Sequence, residues 1–163
     1  MQSPTEIHLI AAKRVLRYVQ GTLSHGVLFQ PGPMALTAFI DSDWAGNPVD
    51  RCSTTGFLVF LANNLITWSS KKQLTVSRSS TKAEYCSLAV GVAELAWIRM
   101  LLCDFGVFLP SPPIIWCDNT SVITLASNPV FHARTKHVEV DYHFVQERVV
   151  RGDLSVLFIP TAD

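Results

Sequence analysis

With 163 residues, 48% of them hydrophobic and 16% charged, the chain is long enough for one domain with a real core and too apolar to be disordered. Its formal net charge is zero, which excludes a general basic excess for nucleic acid and leaves that task to local patches. No apolar run reaches the roughly 18 residues of a membrane span, since Glu94 and Arg99 interrupt the longest one.

Ser3-Pro4-Thr5-Glu6 fits a helix start, with Ser3 as N-cap, Pro4 at the first helical position and Glu6 three residues after the cap. Leu9, Ala12, Leu16 and Val19 then recur at helical spacing, and Gly21 fits the stop. Lys13, Arg14 and Arg17 interrupt any signal-peptide core and read as a solvated face in preference to a nucleic-acid contact. Residues 26–30 read as a short strand. Pro31-Gly32-Pro33 is a breaker and marks a boundary, dividing the chain into 1–33 and 34–163.

Leu36, Ala38 and Ile40 alternate with Thr37, Phe39 and Asp41. Period two predicts a strand with Asp41 on the face opposite Ile40. The stretch ends in two carboxylates, Asp41 and Asp43, and turns by Gly46. Residues 57–61 and 65–68 are two more apolar runs. Ala62-Asn63-Asn64 between them predicts a hairpin, so three strands form a meander.

The run 71–82 carries Lys71, Lys72, Arg78 and Lys82, several Ser and Thr, and no acid. It is open to two readings, a solvated loop or a phosphate-binding segment. A helix over 81–105 follows, marked by Leu88, Val92, Leu95, Ile98, Leu102 and Phe105. Glu84 stands one turn before Leu88 and so heads the buried stripe. The rival reading pairs Glu84 with Thr81 in a capping box.

Pro112-Pro113 breaks the chain. Ile114–Cys117 suits a buried strand and leads into Asp118-Asn119. Asp118 reads either as a site acid or, like Asn119, as the cap of a helix over 122–127. His132-Ala-Arg134-Thr-Lys136-His137 is a second basic cluster. Val138, Tyr142, Val145 and Val149 predict an amphipathic helix ended by Gly152, and 154–159 a last strand. The strand–helix–strand order requires a crossover and a parallel pair. Together these elements predict an α/β fold with a mixed five-stranded sheet and helices on both faces.

Some chemistries can be set aside. A calcium loop starting at Asp41 would need oxygen ligands where Ala45 and Cys52 stand. His132, His137 and His143 are not spaced to share one helix face as zinc ligands. Cys52, Cys86, Cys103 and Cys117 show neither metal-knuckle spacing nor a disulfide framework, and read as reduced thiols of an intracellular protein. Asp41, Glu84 and Asp118 remain, three acids from separate elements. Carboxylates brought together repel unless cations lie between them, and hard oxygen ligands suit Mg2+ or Mn2+. A pair of such ions about 4 Å apart is a device for phosphodiester hydrolysis.

The motifs Phe39-Ile-Asp41-Ser-Asp43-Trp-Ala-Gly46, Ser79-Ser-Thr-Lys-Ala-Glu84-Tyr85, Trp116-Cys-Asp118-Asn119 and Arg134-Thr-Lys-His137 occur in an order that resembles the ribonuclease H domain of copia-type LTR retrotransposons. Residues 5–30 look like the tail of the reverse transcriptase that precedes this domain in the Pol polyprotein. The resemblance implies a ribonuclease-H-like fold and cleavage of the RNA strand of RNA–DNA hybrids with two Mg2+ (or Mn2+) ions. It also implies an intracellular setting, in the cytoplasmic particle of the element or the nucleus. By motif, Asp41, Glu84 and Asp118 would be the catalytic and metal-binding carboxylates, and Asp43 a turn residue. Lys71, Lys72, Arg78, Ser80, Thr81, Lys82, Asn119, Arg134, Lys136 and His137 would hold the hybrid.

One departure concerns the end of the chain. The family pattern continues past a Pro-Thr-Ala-Asp turn to a helix with a Leu-Ala-Asp motif, whereas this sequence stops at Pro160-Thr-Ala-Asp163. Glu139 and Asp141 precede the last strand and read as a surface helix rather than substitutes. The expectation is a site one carboxylate and one covering helix short, with apolar sheet surface left open. A non-catalytic module that keeps the fold is therefore the alternative to a hydrolase.

Overall fold

A computed structural model describes residues 3–128 and 136–160, with the backbone alone for 136–139. Among them the elements run α1 (Glu6–Gly21), β1 (Leu36–Asp43), β2 (Thr54–Leu61), β3 (Asn64–Lys72), α2 (Ser80–Asp104), β4 (Ile114–Cys117), α3 (Thr120–Ser127), α4 (Lys136–Val150) and β5 (Ser155–Phe158). Residues 26–30 depart from the expectation and form no strand. The backbone of Gln30 bonds to a side chain instead: its N–H donates to Asn64 Oδ1 at 2.7 Å and its carbonyl accepts from Asn64 Nδ2 at 2.9 Å. At α1 the N-cap is Thr5, not Ser3, and the reciprocal contact comes from His8 rather than Glu6. The Thr5 N–H donates to His8 Nδ1 at 3.0 Å.

The strands form one mixed sheet in the order β3-β2-β1-β4-β5. The meander β1-β2-β3 is antiparallel, and β4 and β5 run parallel to β1. α2 returns the chain from the β3 edge to β4, the crossover that a parallel pair demands. The hairpin between β2 and β3 is tighter than expected, since Asn64 already pairs with Leu61. Ala62 takes a left-handed φ of 55° in the turn.

Alternation decides which face of β1 is core: Leu36, Ala38 and Ile40 are buried. Phe57 and Val59 of β2 and Ile115 and Cys117 of β4 join them. α2 lays Leu88, Val92, Leu95 and Ile98 on this face, and Val122, Ala126, Tyr142 and Val145 from α3 and α4 complete the core. By length and composition α2 is apolar enough to cross a membrane, but here it is the core helix, with ten buried residues that include Glu84. The stripe stops short of Phe105, which is an exposed C-cap residue. Gly106, at φ 73°, turns the chain away there.

The opposite face carries a row of apolar residues, one from each strand: Trp68, Leu58, Phe39, Trp116 and Leu157 are successive register partners. Trp68 is 60% exposed, Leu58 42% and Leu157 40%, so α2, α3 and α4 leave this face open. The expected helices on both faces are thus, among the described residues, helices on one face only. Phe60 packs edge-on against Phe39, with ring centroids 5.8 Å apart. The expected apolar sheet surface is thus present. α1 buries no residue: Leu9, Leu16 and Val19 of its apolar stripe are all exposed, as are Lys13, Arg14 and Arg17.

Candidate functional site

Register brings the two strand-end acids together. Phe39 pairs with Trp116 across the parallel β1–β4 ladder, and Asp41 and Asp118 each lie two residues further on. Asp41, in β1, and Asp118, one residue past the end of β4, therefore lie at the same end of two neighbouring strands, which are about 4.8 Å apart. Asp41 Oδ1 accepts the Ser42 N–H at 2.8 Å, which fixes its orientation.

Glu84 reaches the same edge from α2. The capping-box reading of this residue is overturned, because the N-cap is Ser79, whose side chain accepts the Lys82 N–H at 3.2 Å. Glu84 lies a full turn inside the helix, on the stripe that faces the sheet, and is only 7% exposed. Its Oε2 is buried without a hydrogen-bond partner. Ser42 Oγ is a second buried oxygen without one. Burial, then the charges of Asp41 and Asp118, push the Glu84 carboxyl up to about 7, against a pull from the Ser42 backbone N–H.

Ligand atoms of Glu84, Asp118 and Cys117 lie within 4.8 Å of one another. Cys117 is a site neighbour that sequence reasoning missed, since its position in an apolar strand marks it only as core. Burial pushes its thiol up to about 11, with the Glu84, Asp118 and Asp41 charges adding to it and the Asn119 N–H opposing. A buried carboxylate crowded by two more acids, one of its oxygens without a partner, fits a divalent cation on charge and on donor chemistry.

The other candidates divide. The Asp43 carboxylate lies against Gly46, at the turn after β1, where a Cβ on Gly46 would stand 1.7 Å from Oδ2. Asn119 caps α3: its Oδ1 accepts from Ser121 N at 3.0 Å and Val122 N at 3.2 Å. Asp118 thus lies outside the cap it was weighed for. Lys71 and Lys72 belong to β3 rather than to a loop, paired with Thr55 and Thr54 of β2. Thr54 in turn pairs with Asp43, so both lysines lie along the same sheet edge as the acids. Lys72 forms an ion pair with Asp50. Arg78 and Ser80 are exposed and Thr81 and Lys82 half-buried around the N-terminus of α2, one turn from Glu84. Arg134 lies outside the described residues. Lys136 and His137 fall in the first turn of α4, where only the backbone is described.

A polar network ties this end of α2 to the sheet. Gln73 Nε2 donates to Thr55 Oγ1 and to the Ala83 carbonyl, each at 3.0 Å, and its Oε1 accepts from Ser77 Oγ at 3.1 Å. Ser87 Oγ donates to Thr55 Oγ1 at 3.0 Å. Trp44 Nε1 donates to the Ser77 carbonyl at 3.0 Å, anchoring the turn after β1 to the segment before α2. In the sequence, only the Ser/Thr richness of the run 71–82 hints at this arrangement.

The chain is 48% identical to the retrovirus-related Pol polyprotein from transposon RE1 of Arabidopsis thaliana, over 164 aligned residues that take in all of this chain and 11% of the relative. It is 35% identical to the retrovirus-related Pol polyprotein from transposon TNT 1-94 of Nicotiana tabacum, over 99% of this chain and 12% of that protein. The chain thus spans little more than a tenth of the length of these curated relatives. Among solved structures, the fold is similar to that of LC11-RNase H1 in complex with RNA/DNA hybrid. The TM-score is 0.54 and the identity 14%, over 77% of this chain and 85% of the other. No family model matches the chain.

Proposed function

We propose that this chain hydrolyses the RNA strand of RNA–DNA hybrids during reverse transcription, on the strength of its similarity to a stretch of the retrovirus-related Pol polyproteins and of its ribonuclease-H-like fold. The observation that carries this reading is Glu84: a buried carboxylate with an unpartnered oxygen, next to Asp41 and Asp118 at one sheet edge.

Asp41, Glu84 and Asp118 are the proposed metal ligands. When bound there, a pair of Mg2+ or Mn2+ ions would supply neutralising charge and an activated water. The chain itself supplies position. β1 carries Asp41, β4 leads directly into Asp118, and the buried side of α2 carries Glu84. Arg78, Ser80, Thr81 and Lys82 present donors at the N-terminus of α2, where the helix dipole favours a phosphate. Lys71 extends the basic edge along β3, and Arg134, Lys136 and His137 are assigned to the same hybrid-holding role by motif. Residues 1–33 are read as the connection to the reverse transcriptase of the same polyprotein and 34–163 as the nuclease domain. The setting is read as intracellular.

The test is cleavage of a labelled RNA–DNA hybrid in Mg2+ by the wild-type chain and by Asp41→Asn. Cleavage by the wild type alone supports the reading. Equal background in both would leave a fold-retaining module without catalysis.

A further inference from the structure

Cys117 is the unusual member of the acidic edge. Its residue is fully buried on β4, and its Sγ lies within 4.8 Å of ligand oxygens of both Glu84 and Asp118. Glu84, itself more than nine-tenths buried, has one carboxylate oxygen without a hydrogen-bond partner and contributes a carboxylate oxygen to the same cluster. An all-oxygen site selects hard cations, whereas a thiolate donor selects softer ones such as Zn2+ or Cd2+.

We infer that Cys117, Glu84 and Asp118 form a site for a thiophilic divalent cation, and that such an ion takes the place of the hard ions at this edge. Donors around a tetrahedral ion with bonds of about 2.0–2.3 Å stand roughly 3.5 Å apart, so the three groups need to close by about 1 Å. Asp118 lies one residue past the end of β4, outside its ladder. On binding, the Cys117 sulfur gives its proton to solvent and forms the bond to the ion. The consequence for cleavage, inhibition by Zn2+ or Cd2+ at concentrations far below those of Mg2+, rests on the proposed nuclease reading. The binding itself does not.

Cadmium titration without nucleic acid tests it, read by the ultraviolet thiolate-to-cadmium charge-transfer band. The other cysteines are removed first, as Cys52→Ser, Cys86→Ser and Cys103→Ser together, with the fold checked by circular dichroism. This variant is expected to develop the band at one equivalent of Cd2+. Adding Cys117→Ser is expected to abolish it. Because a buried Cys117→Ser substitution can unfold the chain, Glu84→Gln and Asp118→Asn are titrated as well. Both keep the thiol, and each is expected to weaken cadmium binding at least tenfold. No band in the folded Cys117-only chain, or affinity unchanged by both acid substitutions, overturns the inference. Since the readout is spectroscopic, a cadmium site without hybrid cleavage would defeat only the nuclease reading, and cleavage without a cadmium site only this one.

Discussion

Gly91 of α2 sits directly over Ile40 of β1: a Cβ built on Gly91 would stand 2.8 Å from Ile40 Cγ2. Ile40 is buried next to Asp41, and Glu84 lies two turns up the same helix, so this close approach sets how near the acids of helix and strand come. Gly91→Ala would raise helix propensity by about 1 kcal/mol, yet the overlap forces helix and strand apart. Overpacking usually costs about 1–3 kcal/mol, so the expected net result is destabilisation by up to about 2 kcal/mol. Urea unfolding measures it. An unchanged or raised midpoint would mean that the helix does not seat as closely as described.

Glu84 makes stability depend on pH. Its carboxyl titrates at about 7 in the folded chain against an ordinary 4.5, chiefly because it is buried. The folded value lies above the unfolded one, so the folded chain holds the proton more tightly. That stabilisation is complete below about pH 4.5 and disappears as pH rises through 7. The wild type should therefore lose up to about 3 kcal/mol between pH 5 and 8 in chelator. Glu84→Gln should lack this component of the profile. Millimolar Mg2+ should restore stability at pH 8 in the wild type more than in the variant. Thermal melts of both chains at pH 5, 6, 7 and 8 give the comparison, and parallel profiles would rule the mechanism out.

Most of the fold was legible because its signals are periodic. Alternation from Leu36 to Asp41 marked β1 and its buried face, and the stripe from Leu88 to Ile98 marked α2 with Glu84 at its head. The short polar signals were ambiguous. Ser79, Ser80 and Thr81 are all good N-caps by residue type, and in the structure it is Ser79 whose side chain accepts the Lys82 N–H. Lys71 and Lys72 look like loop residues, but an edge strand tolerates exposed lysines while its backbone stays in the ladder. Gly26 to Gln30 has strand-like residues but no partner strand, and composition cannot supply one. The neighbourhood of Asp41 and Asp118 depends on parallel register, a long-range property that no local pattern contains. The family motifs pointed to it, and the β1–β4 ladder describes it. Cys117 escaped notice because a thiol in an apolar strand is ordinary core.

Gln73 is expected to matter more than a half-buried loop glutamine usually does. Its amide joins Thr55 of β2 to the Ala83 carbonyl, next to Glu84, and receives Ser77. In Gln73→Glu the shape is kept, but a carboxylate cannot donate to either acceptor. Both acceptors then lose this donor, although each still accepts from Ser87 Oγ. Two hydrogen bonds of about 0.5–1.5 kcal/mol net each put the expected cost at about 1–3 kcal/mol. The loss should be local to the site edge. Amide hydrogen exchange should speed up in the first turns of α2 and change little near Leu95 and Ile98. Uniform acceleration along α2 would instead indicate simple global destabilisation.

Asn119 separates capping from ligand binding. Its side-chain oxygen is committed to the Ser121 and Val122 N–H groups, so its first contribution is to start α3 immediately after Asp118. Asn119→Ala should cost about 1 kcal/mol, and Asn119→Ser should recover most of it, since serine is an equally good cap. A residue that held the hybrid through its amide would behave differently, because serine cannot reach as far or donate through two N–H groups. Hybrid affinity in Asn119→Ser, measured by fluorescence anisotropy in Ca2+ to avoid turnover, is therefore expected to stay within about twofold of wild type. A tenfold loss, about 1.4 kcal/mol, in a variant of normal stability would move Asn119 from the scaffold into the nucleic-acid interface.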